Sequence, residues 1–379
     1  MASFFQKRGA ALALLSALFL SVCPTVEAEE QTPQPRVEVA FVLDTTGSMS
    51  GLIEGAKRKI WSIANAIVDS NPGAAIYVGL VGYRDIGDIY VTRDYELTTD
   101  IQGIYGKLLT FEADGGGDTP ESVNEALDIA VRKLGWSNPA TQEAKRILFL
   151  VGDAPPHMDY KQDRKYPEII KEALQKGIIV NAVQAGDMSE TRRVWKEIAG
   201  LGKGDYLQIP QDGGHVVIIK TPYDIEINTI QIRINRTVIP YGAMRDQEMT
   251  REKTEISSSP SVSMESKAEM SRYISRSGGA KAAITGSGDL VSDVDRGATD
   301  IKAVPDEELP KEMRAMKPAE REAYVKERLV EREALTAQLV EKVNQRDAYI
   351  QQEAAKGKSG KAADSFDASV LRTLDKQLK

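Results

Sequence analysis

An α/β fold, a doubly wound and mostly parallel six-stranded sheet with one antiparallel edge strand, is predicted by three features of this 379-residue chain. Short apolar runs rich in β-branched residues alternate with amphipathic stretches of helical period, which is the rhythm of βαβ crossovers. Those runs are nearly continuous in their apolar character, as in strands buried on both faces of a parallel sheet. Two of them end in an aspartate, and the carboxyl ends of parallel strands are where such sheets collect ligands.

The first strand, 37–43, reads Val-Glu-Val-Ala-Phe-Val-Leu and runs straight into Asp44-Thr45-Thr46-Gly47-Ser48. A helix over 51–69 leads to a second strand at 75–83. The run 90–98 is polar and alternating, which fits an antiparallel edge strand. Helices are predicted over 121–134, 161–176 and 189–200, between strands at 146–151, 178–184 and 205–209. Ile230, Ile232 and Ile234 alternate like a strand, whereas Tyr223, Ile227, Ile230 and Ile234 follow helical spacing. Thr221-Pro222 supplies an N-cap followed by proline at the first helical position, so a last helix is expected over about 222–237.

The ends of the chain read differently. Lys7 and Arg8 precede an apolar stretch from Gly9 to Val22, and Val26-Glu27-Ala28 is a small-residue cleavage site, so 1–28 is expected to be a secretory leader. Leu20-Ser21-Val22-Cys23 also resembles a bacterial lipobox, although valine before the cysteine is bulky for that motif. Cleavage after Ala28 removes Cys23, the one cysteine, and leaves a thiol-free protein exported through the Sec pathway to the periplasm or the cell surface. A formal charge of −7 without a basic cluster argues against nucleic acid as partner, and no later segment is apolar enough to be a transmembrane helix.

Residues 29–36 read as a linker, and a domain over 37–242 is followed by a change of composition. The stretch 243–305 is rich in Ser, Gly and charge and poor in large apolar residues, so disorder is expected. Over 306–355 helix formers and mixed charges dominate. Val325, Leu329, Leu339, Val343 and Ile350 lie on a heptad stripe that Arg332, Thr336 and Arg346 interrupt. Either a solvated single helix or a weak coiled coil giving self-association through this C-terminal helix fits. From 356 to 379 the chain reads as flexible again.

Chemistry concentrates in three segments on one edge of the expected sheet. Asp44-x-Thr46-x-Ser48 offers a carboxylate and two hydroxyls on a tight loop. Gly115-Gly116-Gly117-Asp118-Thr119-Pro120-Glu121 opens a helix, and the strand ending in Val151-Gly152 meets Asp153. Five or six hard oxygen donors result, the kind and number that Mg²⁺, Mn²⁺ or Ca²⁺ take once water or a partner oxygen is added. A helix-capping loop is the bland alternative for Asp44 to Ser48, and the three segments together weigh against it.

On these residues the chain, over roughly 36–242, resembles the von Willebrand factor A domains and would be a bacterial exported member of that family. The family's metal-ion-dependent adhesion site has three such parts, and its Asp-x-Ser-x-Ser is matched here with threonine at 46. For the second part the resemblance to integrin β subunits, with their Asp-x-Pro-Glu, favours Glu121 as ligand, with Thr119 as the alternative. Asp118 matches the integrin β aspartate that serves a neighbouring Ca²⁺ site. The resemblance implies metal-dependent recognition of a protein ligand whose Asp or Glu side chain completes the coordination. It also implies an open/closed rearrangement of the last helix.

Other classes fit less well. A haloacid dehalogenase-type, Mg²⁺-dependent phosphatase needs a second aspartate where this chain has Thr46. No nucleophile elbow, phosphate loop or zinc-protease helix is present, and two histidines give Thr46 and Ser48 no evident base. The chain is therefore not expected to be an enzyme. A structural envelope protein with an unused metal loop is the other alternative. His157 reads as a solvated loop histidine, and Arg84 and Asp85 as a local ion pair.

Overall fold

The computed structural model describes residues 34–214, 219–277, 282–356 and 366–378. The expected leader and His215 lie outside the described residues. Six strands form one sheet: β1 (Arg36–Asp44), β2 (Ala75–Tyr83), β3 (Thr92–Thr98), β4 (Ala144–Gly152), β5 (Ile178–Ala185) and β6 (Lys203–Ile209). Their order is β3-β2-β1-β4-β5-β6, all parallel except the β2–β3 pair. β1 is central, and every residue from Val37 to Asp44 is buried. The order reverses between β1 and β4, so their carboxyl ends flank the crevice where ligands of open α/β sheets bind.

One face of the sheet packs against α1 (Ser50–Ser70) and α2 (Ile101–Leu109), with Trp61, Tyr105 and Phe111 fully buried. The other carries α3 (Val123–Lys133), α4 (Tyr166–Gln175) and α5 (Ser189–Leu201), with Trp195 at its centre. The helix α2 is additional to the predicted set. Ile101, Ile104, Tyr105 and Leu108 are buried at helical spacing, and Asp100 caps it by accepting from Gly103 N at 3.1 Å. The last helix of the domain, α6 (Asp224–Asn235), confirms helical over strand period for the isoleucines.

The expectation of disorder over 243–305 is corrected by α7 (Met244–Glu255), α8 (Met264–Ser277) and α9 (Leu290–Asp295). Few large apolar residues are available there, but they are placed economically. Met270, Tyr273 and Ile274 of α8 join the core beside α1, where the Tyr273 ring lies 5.6 Å from Trp61. Polar contacts do the rest: Asn65 donates to Glu269 Oε2 at 2.8 Å, and Lys253 reaches Asp100 at 2.6 Å. Mean composition hides such a segment because its burial rests on a handful of positions.

A short α10 (Lys311–Arg314) precedes α11 (Pro318–Ala355), which is neither a solvated helix nor a self-pairing coiled coil seam. Leu335, Leu339 and Val343 pack within the same chain against Ile227, Ile230 and Ile234 of α6. The residues that interrupt the stripe are themselves buried, and the two arginines among them are paired. Arg332 bonds Asp289 at 2.6 Å and the Thr237 hydroxyl at 2.8 Å, and Arg346 bonds Asp224 at 2.8 Å and Glu269 at 2.7 Å. Buried charges persist only when paired in this way. The expectation of a flexible end is also corrected over 366–378, where α12 (Phe366–Leu378) buries Phe366, Val370 and Leu374 in the core shared with α1. Among the described residues no helix is long and apolar enough to cross a membrane.

Candidate metal centre

Asp44 closes β1, in register with Tyr83 at the end of β2, and Asp153 follows the last residue of β4. The Asp44 side chain is fully buried. Its Oδ1 accepts from Thr46 N at 2.9 Å and from Thr46 Oγ1 at 2.6 Å, and the Thr46 and Ser48 hydroxyl oxygens lie 3.3 Å apart. Asp44 Oδ2 is buried with no hydrogen-bond partner. The loop is stitched down around it: Thr45 Oγ1 donates to Tyr83 O at 2.8 Å, Arg84 Nε to Thr45 O at 3.2 Å, and Asp114 N to Thr45 O at 3.1 Å.

Glu121 enters from the turn before α3 and is 3% exposed. Its backbone is clamped on both sides, donating to Pro155 O at 2.9 Å and accepting from His157 N at 3.0 Å. Its Oε2 is the second buried carboxylate oxygen without a partner. Gly116 has a φ of 81°, and a Cβ there would stand 3.0 Å from Thr46 Cβ and 3.1 Å from Glu121 Oε1, so glycine lets the turn close over both. At Gly152 a Cβ would run into the Tyr83 hydroxyl and lie 3.2 Å from Asp44 Oδ2. Asp153 is half-buried and accepts from Gln211 Nε2 at 2.5 Å, while Thr191 Oγ1 donates to its carbonyl at 2.8 Å.

The structure thus brings Asp44, Thr46, Ser48, Glu121 and Asp153 to one edge of the sheet, and leaves Thr119 exposed on the turn. Gln211, in the loop after β6, belongs to this edge and carries no motif that would have announced it.

The electrostatics are those of carboxylates forced together. Burial, then the charge of Asp153, raises the Asp44 carboxyl to about 7 against the pull of the Thr46 hydrogen bonds. Burial, then Asp44, Asp85, Asp88 and Asp153 in turn, pushes Glu121 up to about 9. Burial and the same Asp44, Asp153 and Glu121 hold the Tyr83 phenol well above its ordinary value. Buried unpartnered carboxylate oxygens beside the buried Thr46 and exposed Ser48 hydroxyls make a hard-oxygen set into which a divalent cation fits by chemistry.

A second group lies behind the Glu121 turn. Asp85, Asp118 and His157 each offer one ligand atom, all within 4.8 Å of one another, and form a candidate metal-binding cluster. The expected Arg84–Asp85 ion pair gives way to other partners. Arg84 faces Asp114 at 3.7 Å, whereas Asp85 accepts from Ser122 Oγ at 2.7 Å and the Tyr160 hydroxyl at 2.8 Å. His157 is 6% exposed rather than solvated, with its ring stacked on Tyr160 at 3.9 Å.

Residues 38–221 match the sequence profile of the von Willebrand factor A domain. A putative ariadne-like RING finger protein of Acanthamoeba polyphaga mimivirus is 27% identical over 128 residues, covering 33% of this chain and 12% of that protein. The von Willebrand factor A domain-containing protein 7 of Mus musculus is 34% identical over 102 residues, covering 26% of this chain and 10% of that protein. The chain therefore spans only about a tenth of the length of these curated relatives. Among solved structures, the conserved hypothetical protein BatB from Bacteroides thetaiotaomicron is 20% identical with a TM-score of 0.35, over 46% of this chain and 90% of that one. Proximal thread matrix protein 1 from the mussel byssus is 14% identical with a TM-score of 0.34, over 47% of this chain and 43% of that one. Domains of this kind are in general non-catalytic interaction modules. With its six-stranded sheet and the sequence match over 38–221, this chain carries a von Willebrand factor A-domain fold.

Proposed function

We propose that the chain is a divalent-cation-dependent protein-binding module, used for adhesion or scaffolding in the cell envelope. Mg²⁺ is the favoured ion, with Mn²⁺ or Ca²⁺ as substitutes. Asp44, Thr46, Ser48, Glu121 and Asp153 would hold it, and an Asp or Glu side chain of the partner would complete its coordination. The observation that carries this reading is the pair of buried, unpartnered oxygens, Asp44 Oδ2 and Glu121 Oε2, at the sheet edge where the Thr46 and Ser48 hydroxyls lie. Buried carboxylate oxygens are costly unless something positive satisfies them.

Three carboxylates bring −3 to a +2 ion and leave the site net negative. Extra Coulomb attraction tightens the metal and weakens its pull on an incoming carboxylate. Glu121 therefore shifts, or a water intervenes, when an acidic partner group arrives. The leader-like first 28 residues support export as the setting.

The test is a pull-down from envelope extract with and without chelator, run beside the Asp44→Ala/Ser48→Ala variant. A partner caught only by the wild-type protein with metal present supports the proposal. The same catch in every arm removes it.

A further inference from the structure

We propose that Asp85, Asp118 and His157 bind a second divalent cation, one that accepts an imidazole nitrogen, such as Zn²⁺, beside the all-oxygen site and independently of it.

The state of His157 points there. Its Nδ1 is 2.9 Å from Asp159 Oδ1, so that nitrogen carries a proton and donates it. The other ring nitrogen, Nε2, is buried without a hydrogen-bond partner. It faces Asp85 Oδ2 at 3.5 Å. A buried ring nitrogen without a hydrogen-bond partner beside a carboxylate oxygen is a pair of donor atoms set to share one cation. A carboxylate behind the far ring nitrogen is also the arrangement that orients metal-binding histidines.

The spacing fits the ion. Bonds of ~2.1 Å in a tetrahedron put neighbouring ligand atoms ~3.4 Å apart. Asp85 Oδ2 and His157 Nε2 already stand at 3.5 Å. Asp118 is exposed on the turn that follows Gly115, Gly116 and Gly117, and the three ligand atoms lie within 4.8 Å of one another, so a small movement of that turn completes the set. Three protein ligands leave a position for water.

The support is built in advance. The Ser122 hydroxyl and the Tyr160 hydroxyl hold the two Asp85 oxygens at 2.7 and 2.8 Å. The Tyr160 ring covers one face of the imidazole, nearly parallel to it at 6°. Imidazole suits Zn²⁺ and its neighbours, whereas Mg²⁺ and Ca²⁺ demand oxygen, so the two groups of residues select different ions.

The experiment is calorimetric titration of ZnCl₂ into the full chain, stripped of metal and then saturated with Mg²⁺. One equivalent of Zn²⁺ should bind under these conditions, and should still bind to Asp44→Ala, which separates this site from the adhesion reading. His157→Gln should abolish it, and Asp118→Asn, at an exposed position that leaves folding untouched, should weaken it at least ~10-fold. With Co²⁺ as probe, visible absorption should appear in the wild type and be absent in His157→Gln. No saturable Zn²⁺ in the wild type overturns the proposal, as does binding unchanged in both His157→Gln and Asp118→Asn. A His157 ring protonated on both nitrogens in the presence of Zn²⁺ overturns it as well, and leaves a plain imidazolium–Asp85 ion pair.

Discussion

Replacing Glu121 by glutamine removes one charge from the carboxylate cluster and keeps its shape. In the metal-free folded protein Glu121 titrates near 9, against an ordinary value of 4.5, because burial and the neighbouring carboxylates oppose its charge. The folded state therefore holds a proton that the unfolded state releases, and stability falls as pH rises from about 4.5 towards 9. At about 1.4 kcal/mol per pH unit, the loss reaches roughly 5 kcal/mol by pH 8 as an upper bound. Glutamine escapes this loss but keeps a desolvated amide, at a cost of ~1–3 kcal/mol. Chelated Glu121→Gln should accordingly be ~2–4 kcal/mol more stable than chelated wild type at pH 8, and equal to it or up to ~2 kcal/mol less stable at pH 5. Mg²⁺ should favour the wild type, because the cation replaces the proton, and saturation to 100 times Kd adds ~2.7 kcal/mol. Urea denaturation at the two pH values, with Mg²⁺ or with chelator, reads all four quantities. A variant no more stable than wild type under chelator at pH 8, with an equal response to Mg²⁺, would refute the convergence of charge on Glu121.

Glu121→Thr should lower metal affinity while retaining or improving capture of an acidic partner, as measured by metal titration and pull-down; loss of both sinks the charge-balance reasoning. Gly152→Ala pushes a methyl group into the Tyr83 hydroxyl and against Asp44, so it should cost ~1–3 kcal/mol and weaken metal binding, and a neutral thermal shift would contradict the packing. Leu339→Ala should cost ~2–5 kcal/mol in denaturant melts, since Leu339 is 1% exposed against α6; a change below ~0.5 kcal/mol would mean that α11 does not pack there.

The sheet was legible because buried parallel strands advertise themselves as β-branched runs, and the Asp44 and Asp153 loops because they end those runs. The C-terminal helices were not. Arg332 and Arg346 look like interruptions when charge is taken to mean solvent, and their partners Asp289, Asp224 and Glu269 come from remote stretches of chain. Met270, Tyr273 and Ile274 are too few to lift the average of the segment around them, yet they suffice to dock it. At the site, Glu121 was singled out only through the resemblance to the Asp-x-Pro-Glu of integrin β subunits, and its burial beside Asp44 comes from the fold. The facing of His157 and Asp85 was not, because it depends on how the turns after β2 and β4 meet.

The grip of α11 on α6 bears on how the molecule would carry load. Arg346 ties the last third of a 38-residue helix to Asp224, the first residue of α6, and to Glu269 of α8. Leu335, Leu339 and Val343 hold α6 at three successive turns of α11, so tension on α11 is expected to be shared among these contacts. Contacts arranged in that way yield together, at higher force than an unzipping helix. A single-molecule pull on a handle at Ala355 in which α6 detaches before α11 parts from it would contradict this. The helix that the family resemblance marks as the moving part is packed here along Ile227, Ile230 and Ile234 against α11, so any displacement of it must carry α11 along or part this seam.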